Sequence, residues 1–254
     1  MPRSMLDYIN RDRRDAGLSP VEWDDTAALA AARHADDMGR RDYFSHWSPE
    51  GYGPDHRYGQ LGGLDVVMEN VFTFYERYSD GRPVPVADWK AVLERAQHHL
   101  MQSPGHRSNI LDPHHTHVGV GVAYKPRAGQ IWLAQEFVNR YLEMRPLPKR
   151  LKVGEICRMA GRALPKVRDP LVNLAYEPFP APLSPSDLEN KGTYRSAAFI
   201  YEPLALRTDS RGAFDQGIRL DYGGRAGLYH VRVWVDVDGF SEKVPAADGI
   251  VEVA

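Results

Sequence analysis

Apolar residues recur at helical spacing in three stretches of the first half of the chain. Residues 4–16 place Leu6 and Ile9 between charged residues and end at Gly17, a residue suited to cap a helix C-terminus. The second stretch follows Asp24, whose side chain can accept hydrogen bonds from first-turn amides. We therefore predict three amphipathic helices. The apolar faces of the second and third are formed by Ala28, Ala31, Ala35 and Met38, and by Trp89, Val92, Leu93, Ala96 and Leu100.

The apolar period changes to two along residues 117–138, which indicates β-strands. Before a turn at 125–130, bulky residues alternate with the small residues Gly119, Gly121 and Ala123. This pattern predicts a hairpin with one bulky and one very small face, and the small face lets a helix approach closely. A shorter apolar segment, Val66–Phe72, encloses Glu69, a carboxylate that needs a partner if it is buried.

The composition changes at Arg145–Arg150 to a basic, proline-bearing segment that predicts a linker. Short apolar runs separated by Gly, Pro and Asp turns follow it. Residues 227–235 alternate strictly, as a strand near the end of an immunoglobulin-like sandwich does, and about a hundred residues suit that fold. We therefore predict a first domain at 1–144, a linker at 145–150 and a smaller all-β domain of unknown role at 151–254.

Composition narrows the class of protein. The 254 residues are 43% hydrophobic and 26% charged, which is typical of a globular chain with a packed core. The net charge of -2 gives no global attraction for nucleic acid, and the single cysteine, Cys157, excludes an intramolecular disulfide. No apolar run reaches the roughly 18 residues of a membrane span, and the first residues have no apolar signal region. Either the protein stays in the cytoplasm, or the chain is a mature or trimmed form from which an export signal has been removed.

Four blocks of the first domain carry motifs beyond simple periodicity. They are Asn10 and Arg13 leading to Gly17-Leu18 and Trp23-Asp24, then Phe44-Ser45-His46, then Glu69-Asn70-Val71, and finally Gly105-His106-Arg107-Ser108-Asn109-Ile110-Leu111 running into Val118-Gly119-Val120-Gly121. In this order they resemble the CAP superfamily, also called the SCP or PR-1-like domain, in its bacterial form, over residues of about 5–143. The resemblance implies an α+β chain: a three-layer α-β-α sandwich, followed here by the smaller all-β, immunoglobulin-like domain.

The resemblance also implies a cleft and its residues. His46 and His106 match the two histidines that face the cleft of the family, and Glu69 matches one of its glutamates. In many eukaryotic members of the family, a second glutamate faces the cleft. This chain has Ser103 at the matching position, so that acid is missing. Glu94 or Glu136 could substitute for it.

The sequence lacks the motifs HExxH, GxSxG and CxxC and a phosphate-binding glycine loop. His46, His106 and Glu69 form a sufficient ligand set for a divalent metal such as zinc, with a fourth position open to water or a ligand. The same residues could serve without metal, as a general base or as a hydrogen-bonded cleft wall. Other adjacent histidines are weaker metal candidates because neighbouring side chains point apart. They are His98, His99, His114, His115 and His117.

Three hypotheses follow. The leading one is an exported or cell-envelope, non-enzymatic protein whose cleft binds a divalent metal, a small molecule or a lipid, and whose all-β domain contacts other proteins or the envelope. The alternative is a metal-dependent hydrolase of peptide or cell-wall material. In the third, the cleft residues are a structural brace, and Glu69→Gln is strongly destabilising. The expected partners are extracellular small molecules, lipids or cell-wall ligands, without nucleic acid. Family resemblance favours an extracellular or envelope location.

Overall fold

The computed structural model describes residues 2–254, which form two compact units. The first unit comprises the chain up to Arg57 together with Val67–Val138 and Pro182–Tyr194. The second comprises Tyr58–Val66, Asn139–Ala181 and Arg195–Ala254. The domain limits proposed from the sequence stay a prediction.

Helices and strands mix in the chain as a whole. The helices are α1 (Ser4–Asp15), α2 (Asp25–Arg41), α3 (Pro54–Gln60), α4 (Trp89–Gln102), α5 (Pro104–Ile110) and α6 (Pro185–Asn190). The strands are β1 (Glu22–Trp23), β2 (Val66–Tyr75), β3 (His117–Lys125), β4 (Gln130–Asn139), β5 (Leu142–Met144), β6 (Arg150–Leu151), β7 (Ile156–Ala163), β8 (Val167–Glu177), β9 (Leu204–Ala205), β10 (Ala213–Arg219), β11 (Gly227–Val237) and β12 (Val244–Val253).

A four-stranded sheet in the order β1-β3-β4-β2 is the centre of the first unit. Strands β3 and β4 form the antiparallel hairpin expected from the alternating pattern. Its small-residue face packs against α2: a methyl group added at Gly119 or Gly121 would overlap the backbone of that helix around Ala28 or Ala31. The glycines are therefore needed for the close approach of α2 to the sheet.

Helices α1 and α4 cover the opposite face of this sheet, where Met5, Leu93 and Phe137 belong to one buried cluster. Arg13 of α1 is completely buried, and its guanidinium donates to the carbonyls of Ser19, Ile110, Asp112 and His115. Asn10 makes paired hydrogen bonds with the backbone of Val21. These two motif residues thus satisfy loop backbone groups that could not otherwise be buried.

The second unit contains a three-stranded sheet, β10-β7-β5, and a five-stranded sheet, β6-β12-β11-β8-β9. Side chains of both sheets, including Met159, Phe214 and Val231, share one buried core. The Tyr229 hydroxyl at the start of β11 donates to the carbonyl of Arg225 and accepts from the amide of Tyr222. Among residues 2–254, no helix has the length and apolar character of a membrane span.

Candidate functional site

His46 lies in the loop that follows α2. The helix ends at Arg41, and the next residue, Asp42, caps it in a left-handed conformation with φ of 61°. His46 Nδ1 lies 2.8 Å from Glu69 Oε1. Its neighbour Ser45 is buried, and the Ser45 carbonyl oxygen lies 2.9 Å from Nε2 of His34 on α2. The loop is therefore fixed to α2 on one side and to β2 on the other.

Glu69 of β2 is the anchor for this loop, and its side chain is fully buried. Its second oxygen, Oε2, accepts a 2.6 Å hydrogen bond from Arg57 of α3. Arg57 also donates to the carbonyls of His46 and Tyr52, at 2.7 and 3.0 Å. Burial alone would raise the pKa of Glu69, but the charges of Arg57 and His34 and the hydrogen bond from His46 together outweigh it and hold that pKa well below its usual range. Glu69 is thus an ionised carboxylate at neutral pH.

The next residue, Asn70, points to the opposite side of β2 and holds the second histidine. Its amide nitrogen lies 3.3 Å from the carbonyl of His106 and 3.1 Å from Gln135 Oε1. Its amide oxygen accepts from Asn109, whose own oxygen lies 2.9 Å from His115 Nε2. Because successive side chains of a strand point to opposite faces, one Glu-Asn pair can contact both histidine-bearing segments.

His106 lies in the short helix α5, which begins with Pro104 after Ser103. Its ring nitrogen Nδ1 is buried and has no hydrogen-bond partner within residues 2–254. Burial, together with the charge of His46, lowers the pKa of His106. The neutral imidazole, which is the form that binds metals, is therefore favoured at neutral pH.

The structure distinguishes between the two possible replacements for the missing acid. Glu94 lies at the surface, where it pairs with Arg11 at 2.9 Å. Glu136 of β4 is fully buried, with Oε1 3.8 Å from the Arg57 guanidinium. Burial and the Glu69 charge raise the pKa of Glu136 well above its usual range. Glu136 is therefore a second buried carboxyl group near Arg57, and it holds its proton more tightly than an exposed glutamate does.

Residues 6–137 match the CAP family, described as the Cysteine-rich secretory protein family. The chain belongs to this family. It is 31% identical over 138 residues to the uncharacterized protein YkwD of Bacillus subtilis (strain 168), covering 54% of this chain and 47% of YkwD. It is also 32% identical over 139 residues to the uncharacterized membrane protein YlbC of the same organism, covering 55% of this chain and 34% of YlbC. The chain thus matches less than half the length of either relative.

Two solved structures are similar to about half of the chain. One is an extracellular protein containing a SCP domain from Bacillus anthracis str. Ames, with 26% identity, a TM-score of 0.42, and coverage of 54% of this chain and 40% of that one. The other is an outer surface protein from Borrelia burgdorferi, with 18% identity, a TM-score of 0.45, and coverage of 54% of this chain and 91% of that one.

Two histidines of the CAP unit have features that metal-binding histidines share. Metal-bound histidines usually donate their second ring nitrogen to a carboxylate, which fixes the ring and raises its basicity. His46 uses Nδ1 in this way with Glu69, which leaves Nε2 for a ligand. His106 adds a buried nitrogen without a hydrogen-bond partner in the described chain. Both Glu69 oxygens are already engaged, so its predicted role as a direct ligand stays a prediction.

The remaining histidines of the CAP unit have local partners. His114 Nδ1 lies 2.7 Å from Asp112, and His115 stacks on Phe137 with ring centroids 4.9 Å apart. His98 Nε2 lies 2.9 Å from the side-chain amide of Gln102. These contacts give the rings structural roles at the ends of secondary-structure elements.

Sequence reasoning missed two residues of the site, Arg57 and His34. His34 is buried on the sheet-facing side of α2, and burial lowers its pKa to about 4. Its position directly before Ala35, on the small-residue face of the helix, could have indicated that the His34 side chain is buried. Arg57 lies in a short polar helix and gave no such signal, because its partners come from β2 and β4.

Proposed function

We propose that the CAP unit is a non-enzymatic binding module that holds a divalent cation, zinc being the best fit, between the imidazoles of His46 and His106. The observation that carries the proposal is the hydrogen bond from His46 Nδ1 to the ionised, buried Glu69. Two imidazole nitrogens suit zinc, which accepts nitrogen ligands and tetrahedral geometry.

In this proposal the chain's own residues orient the ligands. Glu69 fixes the ring of His46, and Arg57 fixes both Glu69 and the His46 carbonyl. Asn70 holds the backbone at His106. When bound, the cation supplies a Lewis acid that attracts an oxygen atom of a small-molecule, lipid or cell-wall ligand.

The rival proposal, a metal-dependent hydrolase, needs an acid or base that reaches the substrate. The side chains of Glu69 and Glu136 are both fully buried behind the histidines, which suits orientation better than proton transfer to a substrate. Ser45, the serine that precedes His46 in the sequence, is buried, and its hydroxyl accepts a hydrogen bond from the Trp47 amide. These contacts favour binding over hydrolysis.

We further propose an extracellular or cell-envelope location, with the second unit as an immunoglobulin-like β-sandwich that contacts other proteins. The hydrogen bond from Tyr229 back to Arg225 supports this fold, because immunoglobulin-like sandwiches use a tyrosine in the same way near the start of a late strand.

Calorimetric titration of zinc into the metal-stripped protein tests the proposal. We expect binding at micromolar or lower concentrations that a His46→Ala/His106→Ala variant loses. The matched control is His98→Ala/His114→Ala, which removes two imidazoles away from the cleft and keeps the affinity. Equal binding by all three proteins, or none by the wild type, would refute a cleft metal site. Hydrolysis of peptide or cell-wall fragments by zinc-loaded wild type but not the cleft variant would favour the hydrolase.

A further inference from the structure

Residues 182–194, here called the strap, belong to the first unit although they are distant in sequence from its other segments. They lie outside residues 6–137, which match the CAP family. The strap contains α6, whose start is fixed by reciprocal hydrogen bonds between Ser184 and Asp187. It is therefore a structured addition that this chain makes to its CAP unit.

The strap contacts the loop that carries His46. The Leu183 amide donates to the carbonyl of Pro49 at 2.8 Å. The Lys191 ammonium lies 4.8 Å from the centre of the Trp47 ring system, a cation–π distance. The Tyr194 ring lies edge-on to Trp47 at 5.0 Å. The strap thus contacts Trp47, the residue next to His46, through both Lys191 and Tyr194.

Tyr194 is the most specific of these contacts. Its hydroxyl donates to the buried carboxylate of Asp55, 2.6 and 2.7 Å from the two oxygens. A hydrogen bond to an ionised acceptor is stronger than one between neutral groups. The ring occupies the space that a side chain at residue 53 would need, because a methyl group added to Gly53 would overlap it. The backbone of Gly53 is not in the left-handed region, so the glycine is required by the Tyr194 ring.

We propose that Tyr194 is a positioning residue for His46, acting through Trp47 and the loop of residues 44–53. This inference rests on the proposed function, which assigns His46 to the cation site. From the interior, Arg57 and Glu69 fix the carbonyl and the ring of His46. From the outside, the strap fixes Trp47, whose ring centre lies 6.5 Å from that of His46. Tyr194 therefore limits the freedom of the loop without contacting the cation.

Two variants test this role. Tyr194→Phe removes the hydroxyl and keeps the ring, whereas Gly53→Ala displaces the ring and leaves every strap residue unchanged. Each should weaken zinc binding by up to about tenfold, because a loop that is no longer held has to be ordered when the cation binds, and one charge-assisted hydrogen bond sets the upper limit of that cost. The matched controls are Tyr201→Phe, which removes a tyrosine hydroxyl bonded to the Asp221 carbonyl, and Gly59→Ala, where a methyl group meets no atom. Both controls should keep the wild-type affinity.

A second measurement separates positioning from general stability. In the zinc-free protein, the imidazole ¹⁵N and ¹³C resonances of His46 should shift in Tyr194→Phe and Gly53→Ala, while those of His106 stay in place. Urea denaturation of the same samples establishes that they are folded. Unchanged His46 resonances and unchanged affinity in both variants would overturn the proposal.

The two proposals fail in different ways. If the wild type binds no zinc, the proposed function is wrong, and the His46 resonances alone decide the role of Tyr194. If the wild type binds zinc and the Tyr194→Phe and Gly53→Ala variants bind it equally well with unshifted His46 resonances, only the positioning role is refuted.

Discussion

Two carboxyl groups, those of Glu69 and Glu136, lie near Arg57, and replacing each by its amide should change folding stability in opposite ways at neutral pH. Glu69→Gln removes the ionised partner of a guanidinium whose side chain is only 11% exposed. Breaking a buried ion pair from one side costs about 3–5 kcal/mol, because the remaining charge is left uncompensated. We expect the lower end, about 3 kcal/mol, since Glu136 lies 3.8 Å from Arg57 and can ionise once Glu69 is neutral.

Glu136→Gln should change stability little at low pH, because the native carboxyl already carries a proton there. A glutamine side chain is neutral and close in size to the protonated acid, so it can replace that acid without adding a charge. The double variant leaves Arg57 without either carboxylate and should cost about 5 kcal/mol, more than the sum of the single changes.

The pH dependence of stability shows whether ionisable Glu136 stabilises or destabilises the folded protein. Its folded pKa is raised above the ordinary value of 4.5, so above that pH the folded state keeps a proton that the unfolded state loses. This group therefore lowers stability as pH rises, by at most about 1.4 kcal/mol per pH unit. Glu136→Gln removes the penalty, and its stability relative to wild type should increase from pH 5 to pH 7.

Urea denaturation of the four proteins at pH 5, 6 and 7 measures these differences. If Glu136→Gln costs as much as Glu69→Gln at pH 7, the assignment of the proton to Glu136 is wrong. If Glu69→Gln costs less than about 1 kcal/mol, the value for a surface ion pair, Glu69 is not a buried brace.

Three further predictions concern packing, charge and thiol reactivity. Gly121→Ala should cost about 1–3 kcal/mol by thermal denaturation, because the methyl group forces α2 off the sheet, whereas Gly59→Ala should cost nothing. Burial alone would raise the pKa of Asp248, but the charges and hydrogen bonds of His230 and Arg232 together outweigh it and hold that pKa at about 2. About 2 kcal/mol of stability, present above pH 4, is therefore lost between pH 4 and 2. Asp248→Asn should abolish that loss in an acid titration followed by circular dichroism. Burial raises the pKa of Cys157 to about 11, so a thiol reagent at pH 8 should modify it only after unfolding.

The parts of the fold that the sequence predicts depend on local patterns. Trp89 opens the third predicted helix, and α4 begins at that residue after Asp88, whose side chain accepts from the amides of Lys90 and Ala91. The glycine face of the hairpin also predicts the close approach of a helix. The first signal lies beside the helix that it predicts, and the second is the side-chain pattern of the strand itself, which predicts a close neighbour without naming it.

The parts that could not be predicted depend on contacts between distant segments. Arg57 gains its role only because α3, β2 and β4 meet at its guanidinium. Residues 182–194 show no strong apolar period, and their grouping with the first unit is decided by contacts such as Tyr194 to Asp55, 139 positions apart. Spacing in the sequence does not contain this information.

The replacement of the second cleft acid has a chemical consequence. An acid at the position of Ser103 would come from the start of α5, close to His106 in sequence. Glu136 comes instead from β4 and lies near Arg57, where it is fully buried and where burial and the Glu69 charge raise its pKa well above its usual range. Both carboxyl groups therefore lie inside the protein, where Glu69 orients the His46 ring and Glu136 lies near Arg57. Buried in this way they are suited to fixing a side chain and poorly placed for proton transfer to a substrate, which is the reason for the proposed binding role.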